Sequence, residues 1–248
     1  RHADGAAFRP GFGEWELCQG LTTIVNGNCG LSAAPFGPDN ETAIRAYLQP
    51  ITGTLPPELD TRSMAGYFHS LPVLPLNMGM LVGAGTLRAD AAGYQLTELA
   101  EGHFAAIHRQ MERSLADGAL GVSLGLGYAP ECFYSTGDLI RALQPVAGTD
   151  IPVTVHMRQE GGGVVDSVRE MIAVARALGC PVHISHLKAM GRDNWGKKIP
   201  QVLSLLEQAQ NEGLAVDCDV YPYTAGSTQL LHILPPDYLT GGMEAVVE

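Results

Sequence analysis

The chain has 248 residues, a formal net charge of −11, an apolar share of 46%, a charged share of 17% and aromatics at 6%. That composition suits a globular protein with a sizeable core and excludes a disordered one. The acidic balance argues against a nucleic-acid or anionic-membrane surface, which needs a basic patch, and no run of 18 apolar residues is present to span a bilayer.

The sequence opens abruptly on RHADGAAF, without Met, and is expected to be a piece of a longer protein. Six short apolar, β-branched runs follow. They are LTTIVNG at 21–27, LPLNMGMLVG at 74–83, ALGVSLGLG at 119–127, IPVTVHM at 151–157, PVHISHL at 181–187 and LAVDCDVYPY at 214–223. Runs apolar on both faces are what strands of a parallel sheet covered by helices require. Amphipathic segments at 97–118, 163–180 and 199–213 read as helices between them, closing on Gly118, Gly179 and Gly213 as C-terminal caps. From the fourth run onward the strands start about 30 residues apart, the length of a βα unit. Alternating strand and helix predict an α/β fold with a parallel sheet, and six units in this order predict most of a (β/α)8 TIM-type barrel. The competitor, a doubly wound sheet, usually carries a Gly-rich dinucleotide turn, and GLGYAP lacks the spacing for one. Residues 36–73 are Pro-rich and less regular. They read as a long excursion after one strand, so 1–248 is expected to form one partial barrel.

Chemistry in such folds sits at the carboxyl ends of strands. The first run ends in Cys29, the fourth in His156, Arg158 and Glu160, the fifth in His186 and Lys188, and the sixth in Asp219, Tyr221, Tyr223 and Ser227. The third leads to Tyr128 and Glu131, and the chain start offers His2 and Asp4. A thiol and two or three imidazoles at one rim suit Zn²⁺, which favours sulfur and nitrogen ligands. Any one of them alone would more often be a packed core residue. Cys29 is unusual because NGNCG is a Gly-flanked turn in which apolar packing does not demand a thiol. Strand alternation puts His186 on the face of Ile184 and His183 on the face of Ser185. His186, at the strand end as His156 is, is chosen for the barrel axis; His183 is expected to face the helix layer. His69, His103, His108 and His232 read as surface, helix or loop residues. The five cysteines, Cys18, Cys29, Cys132, Cys180 and Cys218, are scattered and odd in number, which fits a reducing compartment or metal chemistry, not a disulfide framework. With no signal-peptide pattern, the cytoplasm is the expected location.

The linked set TTIVNGNCGLSAAP, GLGYAPECFYST, VTVHMRQEGGGVVDSVREMIAVARALGCPVHISHLKAMGRDNWGK and DCDVYPYTAGST resembles the N-acyl-D-amino-acid deacylases, or D-aminoacylases, of the amidohydrolase superfamily. The resemblance covers about residues 17 to 235. It implies a zinc-dependent (β/α)8 barrel running here from the end of strand 1 through strand 7. It implies Cys29, His156 and His186 as ligands of a tight zinc, with Cys29 replacing the bridging carboxylated lysine of many relatives. It implies His2 as the second His of an H-x-H pair that, with Cys29, forms a second, weaker metal site. It places Tyr128, Lys188, Tyr221 and Ser227 around the substrate, where Lys188 would meet a carboxylate and the hydroxyls a carboxylate or amide. Arg158 is a second candidate cation, with a salt bridge to Glu160 or another rim carboxylate as the equal alternative. The family's general-base aspartate lies beyond Glu248, and Ala84 stands where many relatives carry His. The implied reaction is hydrolysis of the amide of small N-acyl-D-amino acids, giving a carboxylate and a free D-amino acid. The alternatives are a related cyclic-amide or dipeptide-type amidohydrolase and a catalytically dead metal-binding barrel. The sequence does not set the oligomeric state.

Overall fold

In the computed structural model the described residues are 2–234 and 236–239. Seven strands run β1 Thr23–Asn26, β2 Asn77–Met80, β3 Val82–Gly83, β4 Val122–Gly125, β5 Val153–His156, β6 Val182–Ile184 and β7 Val216–Cys218. The helices are α1 Glu14–Cys18, α2 Glu41–Thr52, α3 Met64–Ser70, α4 Ala84–Ala92, α5 Glu101–Ala116, α6 Thr136–Ala142, α7 Val164–Leu178 and α8 Lys198–Asn211. Each apolar run of the sequence thus carries a strand. The second carries two, because Leu81 separates β2 from β3.

All pairings are parallel. β1 pairs with β2, and β3 to β7 form a five-stranded sheet in chain order. Leu81 joins the two sheets: its N–H donates to Asn26 O at 2.9 Å, while the next residue, Val82, donates to Gly121 O at 3.0 Å. An order that never reverses has no switch point, which sets it apart from a doubly wound sheet.

One face of the strands is apolar for a packing reason. Val122, Leu124, Val153, Val155, Val182, Ile184 and Val216 form one core with Ile107 and Met111 of α5, Val168 and Ile172 of α7 and Val202 of α8. The other face carries a polar row in register, Ser123, Thr154, His183 and Asp217. Helix α7 stops on Gly179 in the left-handed region (φ 62°), where a Cβ would be strained.

The segment 36–73 is more regular than its composition predicts. Helix α2 buries Ile44, Tyr47 and Leu48 against the core despite Pro50 in its last turn. Helix α3 is started by Ser63, whose hydroxyl accepts from Gly66 N–H at 2.9 Å. Tertiary burial of Tyr47, Leu48, Met64 and Tyr67 outweighs the weak local signal. Among the described residues, no helix is long and apolar enough to cross a membrane.

Candidate metal centre

Two non-glycine residues have positive φ among the described residues: Cys29 at 57° and His186 at 43°. A residue with a Cβ adopts this conformation at a cost, and surrounding structure must hold it there. Cys29 lies in the turn after β1, between left-handed Gly27 and Gly30. The floor of that turn is β4 and α4. Ser123 Oγ accepts from Gly30 N–H at 3.0 Å and donates to Gly27 O. Thr86 N–H donates to Gly30 O at 3.0 Å. His186 follows the end of β6, and its turn is held from β7. Asp219 Oδ1 accepts its N–H, and Leu187 N–H donates to Asp219 O at 2.9 Å.

These turns aim two side chains at the end of β5, where His156 sits in register with Gly125. His156 Nδ1 is 3.0 Å from His186 Nε2, and Cys29 Sγ is 3.6 Å from the same nitrogen. One donor atom from each of the three residues lies within 4.8 Å of the others. A tetrahedral zinc with bonds of about 2.3 Å to sulfur and about 2.05 Å to nitrogen separates S from N by about 3.6 Å and N from N by about 3.3 Å. The donor set therefore fits zinc in chemistry and in size. Cys29 is 3% exposed and His156 4%. Burial pushes the Cys29 thiol up to about 12, and the carboxylates of Glu160 and Glu131 add to it. A thiolate in this place needs a cation's charge to offset that burial.

A second layer surrounds the donors. Glu160, four residues past His156, has a side chain only 4% exposed. Its Oε1 is 2.8 Å from His186 Nδ1 and accepts from Lys188 Nζ at 2.6 Å. Burial alone would raise this carboxyl, but the His186 hydrogen bond, the nearby imidazoles and Lys188 hold it down at about 2. Lys188 Nζ also donates to His186 O at 2.9 Å and lies 5.5 Å from the ring centre of Tyr221. The Tyr128 ring is 4.5 Å from that of His156, and its hydroxyl shares a hydrogen bond of 2.8 Å with Thr228 Oγ1. Ser227, beside Thr228, is exposed.

His2, which the resemblance assigns to a second, weaker site, is outside the three-residue donor group. It lies beside β1, where Ala3 N–H donates to Asn26 Oδ1 at 3.2 Å. Arg158 takes the ion-pair role, with Glu170 of α7 as its carboxylate in place of Glu160. Its Nε and Nη2 reach Glu170 at 3.1 Å each, and Nη1 and Nη2 donate to Cys132 O and Tyr134 O at 2.8 Å each. With every guanidinium nitrogen engaged, Arg158 ties the strand-end loop to α7. His183 is a correction. It faces away from the helices, on the row of Thr154 and Asp217, with Nδ1 2.5 Å from Asp217 Oδ1 and Nε2 3.0 Å from Asp219 Oδ2. The alternation argument failed because β6 ends at Ile184, and the left-handed His186 no longer obeys strand parity. Ala84 is buried at the start of α4. His69 lies in α3, and His103 and His108 in α5; the side chain of His232 is outside the described residues. A cavity of about 470 Å³ opens along Thr154, His183 and Asp217, at the opposite end of these strands from the donors.

Sequence alone places Glu160 and Asp219 at strand ends and assigns neither a part as ligand. The one available signal was the place of both at strand ends beside ligand-bearing loops.

No family model matches the chain. It is similar to an N-acyl-D-glutamate deacylase of Alcaligenes xylosoxydans xylosoxydans, 37% identical over 230 residues, covering 90% of this chain and 44% of the relative. The structure of N-acyl-D-glutamate deacylase from Bordetella bronchiseptica, complexed with zinc and a phosphonate that mimics the reaction's tetrahedral intermediate, matches with a TM-score of 0.81 and 31% identity, over 90% of this chain and 46% of that one. A crystal structure of D-aminoacylase that defines a subset of amidohydrolases matches with a TM-score of 0.77 and 30% identity, over 91% of this chain and 46% of that one. The chain spans about half the length of the relatives it matches. The resemblance carried by the sequence motifs is borne out.

Proposed function

Given that this chain is a relative of the N-acyl-D-amino-acid deacylases, we propose that it forms much of the catalytic barrel of a zinc-dependent hydrolase of N-acyl-D-amino acids. The parallel strands in chain order support staves two to seven of a (β/α)8 barrel, with His2 at the end of the first. The observation that carries the proposal is the convergence of Cys29, His156 and His186, with one donor atom each within 4.8 Å of the others. These three would hold the ion, and His2 would contribute to a second, weaker site. Bound zinc supplies Lewis acidity, acidifying water from a pKa of 15.7 to about 7 and polarising a carbonyl oxygen.

The chain's own side chains supply binding and orientation. Lys188 spends hydrogens on Glu160 and on His186 O, and its remaining N–H is the donor for the carboxylate of an amino-acid substrate. Tyr221, beside that ammonium, and Ser227 add hydroxyl donors at the same rim. Tyr128 closes the other side against His156 and excludes water from the reacting amide. Asp219 is committed to the His186 backbone and to His183, so it is not assigned the proton-transfer role. All five cysteines are free, which favours a reducing compartment such as the cytoplasm.

Elemental analysis of the intact protein tests the metal, with about one tight zinc per chain expected in the wild type and none in Cys29→Ala. A panel of N-acyl-D-amino acids, N-acyl-L-amino acids and hydantoins tests the substrate. Turnover of the D-series supports the deacylase; turnover confined to the other two overturns it in favour of a related amidohydrolase.

A further inference from the structure

We propose that Glu160 is a positioning residue for the metal centre: its carboxylate takes the Nδ1 hydrogen of His186 and so leaves the Nε2 lone pair facing Cys29 and His156. This rests on the reading of those three residues as zinc ligands.

A neutral imidazole carries its hydrogen on one nitrogen and accepts at the other. The His186 nitrogen turned to Cys29 and His156 is Nε2, at 3.6 and 3.0 Å. A cation there needs that nitrogen bare, so the hydrogen must sit on Nδ1. Two groups compete at Nδ1. Glu160 Oε1, 2.8 Å away, only accepts. Lys188 Nζ, 3.1 Å away, is an ammonium that only donates. The carboxylate selects the ligating tautomer. The ammonium selects the other one, which places the hydrogen on Nε2 and closes it to a cation. Glu160 also draws the ammonium toward itself, at 2.6 Å, and away from Nδ1. Its backbone fixes the geometry further, since Met190 N–H donates to Glu160 O at 2.7 Å and locks the loop after β5 to the loop after β6. Carboxylates behind metal-bound imidazoles commonly set tautomer and ring orientation in this way.

The test uses the intact protein with two readouts, zinc affinity by competition with a chromophoric chelator and the His186 tautomer by ¹⁵N NMR of the metal-free form. Glu160→Met keeps the buried volume and removes the acceptor. It should weaken zinc binding by about 10–100-fold and move the His186 hydrogen to Nε2. Glu160→Gln keeps a neutral acceptor and should retain the Nδ1 hydrogen and most of the affinity. Adding Lys188→Met to Glu160→Met removes the competing donor and should recover about tenfold of the loss. A general structural role predicts instead that the two changes add. Unchanged zinc affinity in Glu160→Met, equal losses in the Met and Gln variants, or no recovery in the double variant overturns the proposal. Should Glu160→Met unfold, the tautomer of the Gln variant decides: an Nε2 hydrogen there refutes it. A wild type that holds no zinc defeats the deacylase reading, and this inference with it. A wild type that holds zinc beside an indifferent Glu160→Met defeats this inference alone.

Discussion

Gly125 lies in close contact with the backbone of Cys29, and Gly125→Ala should damage the metal centre without replacing a ligand. A Cβ at this position would stand 2.8 Å from the carbonyl carbon of Cys29, closer still to its oxygen, and 3.0 Å from Cδ2 of Tyr128. Ordinary contacts begin at 3.4 Å, so the Cys29 carbonyl must retreat by at least about 0.6 Å. The turn has little freedom to do so. Gly30 is bonded to Ser123 and Thr86 on either side, and Cys29 is already left-handed. Overpacking of this kind costs about 1–3 kcal/mol. Zinc–ligand distances tolerate only about 0.2 Å, a third of that movement. Urea unfolding of the metal-free protein should therefore show a loss of about 1–3 kcal/mol, and the chelator competition a weaker zinc. Gly102→Ala is the control. It lies in α5 with no atom within 4 Å of the added Cβ, and should stabilise by roughly 0.5–1 kcal/mol. Wild-type stability and wild-type zinc affinity in Gly125→Ala would refute the claim that this close approach sets the position of Cys29.

Glu131 is buried, and burial pushes its carboxyl from an ordinary 4.5 up to about 8, against the Gly125 N–H bond and the charges of Arg88 and Arg158. The folded state keeps this proton where the unfolded chain releases it, so the group's contribution is whole below pH 4.5 and is lost as pH rises to 8. Glu131→Gln should match the wild type at pH 4 and exceed it by on the order of a few kcal/mol above pH 8, read from urea midpoints; a gap that does not vary with pH contradicts the sign. Ser63→Ala removes the cap of α3 and should cost about 1 kcal/mol in the same unfolding measurement; no loss would mean that the hydroxyl bond to Gly66 does not hold the helix.

Local pattern was enough for the strands, for α5, α7 and α8, and for Cys29, His156 and His186, because each is announced by its own short stretch: apolar runs of strand length, helical spacing ended by glycine, and metal-type side chains where strands stop. The helices of 36–73 left a weaker mark, since burial of residues such as Tyr47 and Met64 against the core stabilises them more than their own propensity does. Three features were decided only by the tertiary structure. His183 faces away from the helices because its neighbours Val182 and Ile184 pack in the core, and parity could not link it to His186, which lies past the last strand residue, Ile184. Arg158 belongs to Glu170 because α7 brings that carboxylate within 3.1 Å, a pairing between segments that neither announces. Glu160 became part of the centre because the loop after β6 carries both His186 and Lys188 to its Oε1. A side chain declares its chemistry in the sequence; the partner it meets depends on where the backbone turns.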